Sequence, residues 1–495
     1  MQRVSFFRME GFKKQGIFLL LNGLVWCWIF CGASRVWAQS SSDSLIRYLE
    51  RTQLDCYRFQ SKDSAGVIGL PYPYYSPSPG ANALFSELYY WDCFFTNRYG
   101  LLNSGKESDL EMAKHHVNNL LHLAEKFGFV PNANRFSMLN RSQPPFLSLM
   151  VRDLYCRTGD VSWLQQAVVI LEKEYDFWMN NRSYTLRQGN KEFVLNKYGH
   201  QATVAYLRHF YITMDQRLQY KGDTVGMFFW VVFNSLDTLS KAHHWLAEAE
   251  SGWDFTPRFQ GRCLDFLPVD LNSLMANYEL NMAWFYQQLG QFAESKSEMA
   301  ECNRKYKQFY RAYHARMEAM NRWMWNSNLG VYLDYEWTEN RQSQLLTSAS
   351  YYPVWLLAAE KRFTKKSISV PKDDLRRNKN TVPNLLRLVQ GDLVMPLERG
   401  YSMPYGTQWN YGNVWAPFQA IAVETFLNSF PDLYYQAALI RRTFCTTVER
   451  DFFNTGRLVE KYPASFVENL VEEYPTPPMM GWTGAVYRWF KSHPQ

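Results

Sequence analysis

From Leu110 onward the chain repeats apolar residues at the spacing of a helix face. Leu110, Ala113, Val117, Leu120, Leu121, Ala124 and Phe127 form one such stripe. Leu164, Ala167, Val168, Leu171, Tyr175 and Trp178 form a second. Leu271, Leu274, Met275, Tyr278, Met282, Phe285 and Leu289 form a third, with Asp270 as its candidate N-cap and Gly290 as its stop. The same reading predicts helices at 235–249, 291–322, 345–360, 414–428, 431–450 and 482–492, whereas strand signals are few and short. Segments rich in Gly, Pro, Asn and Trp lie between the helices. Nearly a dozen helices joined by long aromatic loops suit one all-α domain, a helical toroid or (α/α)6 barrel over residues 64–495. Residues 39–63 read as a linker running into a first helix. The stretch 361–381, with Lys365, Lys366, Lys372, Arg376, Arg377 and Lys379, reads as a solvated basic insertion.

The first 38 residues have a different character. A basic stretch ends at Lys14, an apolar run spans Ile17 to Phe30, and Val36-Trp37-Ala38 matches a small-x-small cleavage site. Residues 1–38 therefore read as a signal peptide, which places the mature protein in the periplasm or outside the cell. No later stretch reaches the roughly 18 consecutive apolar residues of a membrane helix. The leader also carries much of the +7 charge. Beyond it, 48 basic residues face 45 acidic ones, a net charge of +3, which removes the electrostatic motive for a nucleic-acid partner. The six remaining cysteines are widely and irregularly spaced. The pairs His115-His116 and His243-His244 lack the spacing of a metal site and read as surface or core histidines.

Loops dense in tryptophan, tyrosine, asparagine, arginine and carboxylates suit a sugar, because rings stack on its apolar faces and planar polar groups meet its hydroxyls. Composition by itself equally allows those rings a core role. Six blocks carry a sharper signal. They are Pro79 to Phe94 (PGANALFSELYYWDCF), Phe129 to Pro145 (FVPNANRFSMLNRSQPP), Glu250 to Phe255 (ESGWDF), Pro268 to Asn272 (PVDLN), Gln408 to Pro417 (QWNYGNVWAP), and Glu473 to Gly481 (EYPTPPMMG) followed by Trp482-Thr483. In this order they resemble the trehalase family of inverting glycoside hydrolases.

The resemblance implies an (α/α)6 barrel, no metal or organic cofactor, and a small carbohydrate substrate. It implies Asp254 of the S-G-W-D motif as general acid and Glu473 of the E-Y motif as general base. It further implies sugar contacts by Trp91 and Asp92, by Asn132, by Arg141, Ser142 and Gln143, and by Gly252. The residue types fit such work: inversion needs a protonated carboxyl at the leaving oxygen and an ionised one that activates water across the ring. Trp253, beside Asp254, would supply a desolvating wall, and Trp91 and Trp409 could stack on a sugar.

Three departures stand out. Leu84 occupies the place of the arginine in the family's P-G-G-R-F block. The R-P-E block has no clear match between Tyr198 and Gly226, where Arg208 or Arg217 could substitute. Asn410 replaces the aspartate of Q-W-D. The expected function is hydrolysis of an α-glucoside by inversion, with α,α-trehalose leading. A barrel glucosidase for another α-glucoside, or a non-catalytic sugar-binding relative, is the alternative.

Overall fold

The computed structural model describes residues 43–80, 83–218, 235–360, 378–399, 408–466 and 474–492. The expected signal peptide at residues 1–38, most of the basic stretch 361–381, and Glu473 lie outside these residues. The chain divides into two compact units, residues 1–51 and 52–495. In the first, residues 43–51 are helical.

The second unit is a barrel of paired helices, and burial sorts them into two kinds. Helix Val269–Gly290 buries residues on every face, from Val269 through Leu280 without a break. Helix Ala416–Ser429 does nearly the same. Helices enclosed all round belong inside a large core. By contrast, Lys296–Trp323 buries only a stripe that includes Phe309, Tyr313, Arg316, Met317 and Met320. Glu107–Phe127 likewise keeps one face for solvent. Inner and outer helices join by short turns, as where five residues link Val269–Gly290 to Lys296–Trp323. No helix among the described residues is long and apolar enough to cross a membrane.

The helix ends follow local chemistry. Asp160 accepts the Trp163 N–H, and Asp237 accepts those of Leu239 and Ser240, so both helices start on a carboxylate cap. Ser295 accepts the Glu298 N–H while Glu298 accepts that of Glu294, a reciprocal lock on the next start. Asp270 departs from its expected place as an N-cap. The helix begins at Val269, whose N–H goes to Asp334, and the Asp270 carboxylate instead binds Arg258. The cap is supplied across the fold because the nearby acid is committed to an ion pair.

Helices Tyr90–Phe95, Leu147–Thr158 and Val204–Leu218 are further elements that the periodicity reading passes over. Among the described residues the longest strands form a hairpin, Ser183–Gln188 against Lys191–Asn196, turned by Gly189-Asn190. A shorter pairing matters more for the site: Asn413–Trp415 runs antiparallel to Lys461–Pro463, with Trp415 opposite Lys461. The histidines of both pairs are engaged within the fold: His243 Nδ1 lies 2.9 Å from His200 Nε2, and His244 Nδ1 accepts the Leu264 N–H. His116 is buried, takes the Tyr75 N–H and lies 2.7 Å from the Asn97 side-chain oxygen, while His115 stacks on Tyr72. The cysteines at 56, 93, 156, 263, 302 and 445 are all free thiols.

Candidate active site

The loops at the N-terminal ends of helices Tyr90–Phe95, Leu147–Thr158, Ala416–Ser429 and Gly481–Ser492 meet the C-terminal end of Thr238–Glu250 around a cleft of about 170 Å³. Trp91, Asp92, Asn132, Arg141, Gln143, Gly252 and Asp254 all line it. These seven come from four segments spread over more than 160 residues of sequence. Ser142 is the exception: its hydroxyl donates to the Val130 carbonyl, its N–H to Glu250, and none of it is exposed. It builds the cleft from beneath.

Backbone stitching explains how the segments hold together. The Tyr90 N–H donates to the Asn132 carbonyl, the Asn132 N–H to the Arg141 carbonyl, and the Trp91 N–H to Gln143 Oε1. Gly252 has a steric reason for its identity. With φ at +75°, a Cβ there would stand 2.8 Å from the Trp91 ring, so only glycine lets the acid loop close on that tryptophan.

Deeper down, two charge networks fix the acid loop. Glu250 accepts from Arg182 and from the N–H groups of Ser142 and Gly199, tying the Arg141 block to the turn before Asp254. Arg258, fully buried with its guanidinium 4.5 Å from the Trp253 ring, pairs with both Asp270 and Asp334. Removing one partner from such a buried set leaves an uncompensated charge at a cost of about 3–5 kcal/mol. These groups serve as scaffold.

Trp253 is therefore not the wall expected at Asp254. Its ring packs between Arg258 and the rings of Trp409 and Phe418. The apolar wall is made instead by Trp91, Trp409, Trp415 and Trp482, all lining the cleft, each ring centroid within 6 Å of two of the others. The buried N–H groups Arg141 Nε and Trp409 Nε1 have no hydrogen-bond partner among the described residues. Spare donors beside aromatic faces are what a polyhydroxyl ligand requires.

A carboxylate of the cleft escapes the sequence reading. Glu460, 4% exposed, lines the same cleft as Asp254 and Asp92. It precedes strand Lys461–Pro463, and its carboxylate receives Lys461 Nζ at 3.3 Å and the Tyr474 hydroxyl at 3.1 Å. Gln408 links the two carboxylate segments, donating Nε2 to the Asp254 carbonyl while its Oε1 accepts from Lys461 Nζ. Burial, and after it the charge of Glu460, pushes the Asp92 carboxyl up to about 8. Near neutral pH Asp92 is thus largely protonated and offers a donor as well as an acceptor. The only local signal for Glu460 is an acid beside a base between the apolar side chains of Val459 and Tyr462.

The departures also resolve spatially. Arg217, near the end of helix Val204–Leu218, lines the cleft, whereas Arg208 of the same helix does not. Leu84 is 59% exposed and is not part of the cleft lining. Asn410 is fully buried.

The Trehalase family model matches residues 61–493. A probable trehalase of Oryza sativa is 30% identical over 420 residues, covering 79% of this chain and 67% of the rice protein. A periplasmic trehalase of Escherichia coli is 30% identical over 444 residues, 85% of this chain and 68% of that one. The solved neutral trehalase of Saccharomyces cerevisiae shares the fold with a TM-score of 0.61 at 21% identity, covering 88% of this chain and 76% of its own.

Proposed function

The chain belongs to the trehalase family of glycoside hydrolases, and from that premise we propose that it hydrolyses α,α-trehalose to two glucose molecules by single-displacement inversion. The observation that carries the reading is one aromatic-walled cleft holding Asp254 and Glu460 together with the polar contacts Asp92, Asn132, Arg141 and Gln143. Asp254 gives its proton to the glycosidic oxygen as the C1–O bond breaks. A carboxylate takes a proton from water as the water oxygen bonds to C1 from the opposite face. We assign that base to Glu460, because Lys461 and Tyr474 both favour its ionised form. Glu473 remains the second candidate on its E-Y motif. The leader at 1–38 and the periplasmic E. coli relatives favour a periplasmic or secreted enzyme.

Stereochemistry tests the mechanism. Early proton NMR spectra of a trehalose digest should show one β-glucose for each α-glucose, before mutarotation mixes them. Two α-glucose molecules would mean retention. Binding without any glucose release would make the protein a sugar-binding relative instead.

Arg217 tests the substrate. A guanidinium that pairs with sugar hydroxyls leaves them unpaired when removed, so Arg217→Ala should lower kcat/KM on trehalose by about 10²-fold. Arg208→Ala, outside the cleft, should stay within about twofold of wild type, as surface changes do. If the wild type cleaves trehalose well and Arg217→Ala is unharmed, no replacement arginine acts at this position. Poor wild-type turnover of trehalose beside another α-glucoside would move the assignment to that substrate.

A further inference from the structure

We propose that Glu248, in the last turn of helix Thr238–Glu250, is the positioning residue of the general acid, and that it acts as a neutral carboxyl. The inference rests on Asp254 being that acid. Glu248 is 1% exposed. Its Oε1 accepts the N–H of Thr256, two residues beyond Asp254, so a helix side chain carries the backbone of the acid turn from within the fold. Thr256 in turn caps the short helix Pro257–Phe259 by accepting the Arg258 N–H, which passes the restraint on to the buried Arg258.

Geometry argues for the neutral form. Glu248 Oε2 is buried and has no hydrogen-bond partner among the described residues. Arg258, the cation whose charge reaches Glu248, is spoken for, since it directs Nε, Nη1 and Nη2 to Asp270 and Asp334. A carboxylate with one hydrogen bond, one bare oxygen and no ion-pair partner among the described residues is expensive in a dry interior, and the group neutralises instead. Burial, above all, raises the Glu248 carboxyl well above the usual range. The Thr256 N–H and Arg258 oppose that rise, and Asp254 adds to it. Cys263 also lies near Glu248, and burial above all raises its thiol well above the usual range. A neutral acceptor below the turn orients Asp254 without placing a second negative charge beside it.

Glu248→Gln keeps the acceptor and the neutral charge. It should therefore retain kcat and KM within about twofold, with the alkaline limb of the kcat/KM profile unmoved. Glu248→Asp withdraws the oxygens by one methylene, and kcat should fall about 10-fold to 100-fold while KM stays within about twofold. Wild-type kcat in Glu248→Asp overturns the proposal. So does an alkaline limb shifted to lower pH in Glu248→Gln, because it would mean that a like charge had been helping to keep Asp254 protonated. If Glu248→Asp does not fold, Glu248→Gln still decides through its kcat and its pH limb. Full turnover in Asp254→Asn would remove the acid assignment itself, whereas an inactive Asp254→Asn beside an unaffected Glu248→Asp removes only the positioning role.

Discussion

Asp254→Asn should fold normally and lose about 10² to 10⁴ in kcat on trehalose, the usual worth of general acid assistance. The fold should survive because the turn is held by groups that asparagine leaves in place. Gln408 bonds the carbonyl of residue 254, Glu248 bonds the N–H of Thr256, and the Arg258 network lies below. Circular dichroism and thermal unfolding check that part. The kinetic part has an internal control. A sugar alkoxide is a poor leaving group that needs a proton, whereas fluoride leaves with less help, so the loss should be much smaller on α-glucosyl fluoride. A variant equally crippled on both substrates has lost something other than its acid. Turnover near wild type on trehalose would remove Asp254 from the role.

How much could be read beforehand depended on whether a feature is local in sequence. The long helices were legible because a 3.6-residue stripe is written in the residues themselves, as in Leu110 to Phe127 or Leu271 to Leu289. Cleft residues within compact blocks, such as Trp91-Asp92 and Arg141 with Gln143, were legible for a similar reason. What failed was anything created by contact between distant segments. Ser142 belongs to the right block, yet its hydroxyl is drawn inward by the Val130 carbonyl. Asp270 looked like a cap until Arg258 claimed it. Trp253 adjoins the acid in sequence but faces Arg258, and the cleft wall comes from four other tryptophans. Glu460 enters the cleft through the pairing of Lys461–Pro463 with Asn413–Trp415, nearly fifty residues earlier in the chain, and no motif around it announces that meeting.

Glu460→Gln is the change that decides the base. It should cost about 10² to 10⁴ in kcat, comparable to loss of the acid, because an amide cannot take the proton of the attacking water. Lys461 gives the experiment its subtlety. Its Nζ is fully buried and near both Glu460 and Gln408, so the variant leaves that cation without its carboxylate. Some loss of thermal stability should therefore accompany the loss of rate, and activity must be measured well below the new Tm. Azide separates the two effects. It attacks without deprotonation, so it should restore consumption of activated α-glucosides by Glu460→Gln, with β-glucosyl azide as the product. A variant that had merely lost its shape would gain nothing from azide, and Asp254→Asn should gain nothing either. Glu473→Gln is the counter-experiment. Should it be the variant that loses about 10² or more and recovers with azide, while Glu460→Gln keeps turnover, the E-Y glutamate is the base. Glu460 would then be a buried charge that holds Lys461 and raises the Asp92 carboxyl.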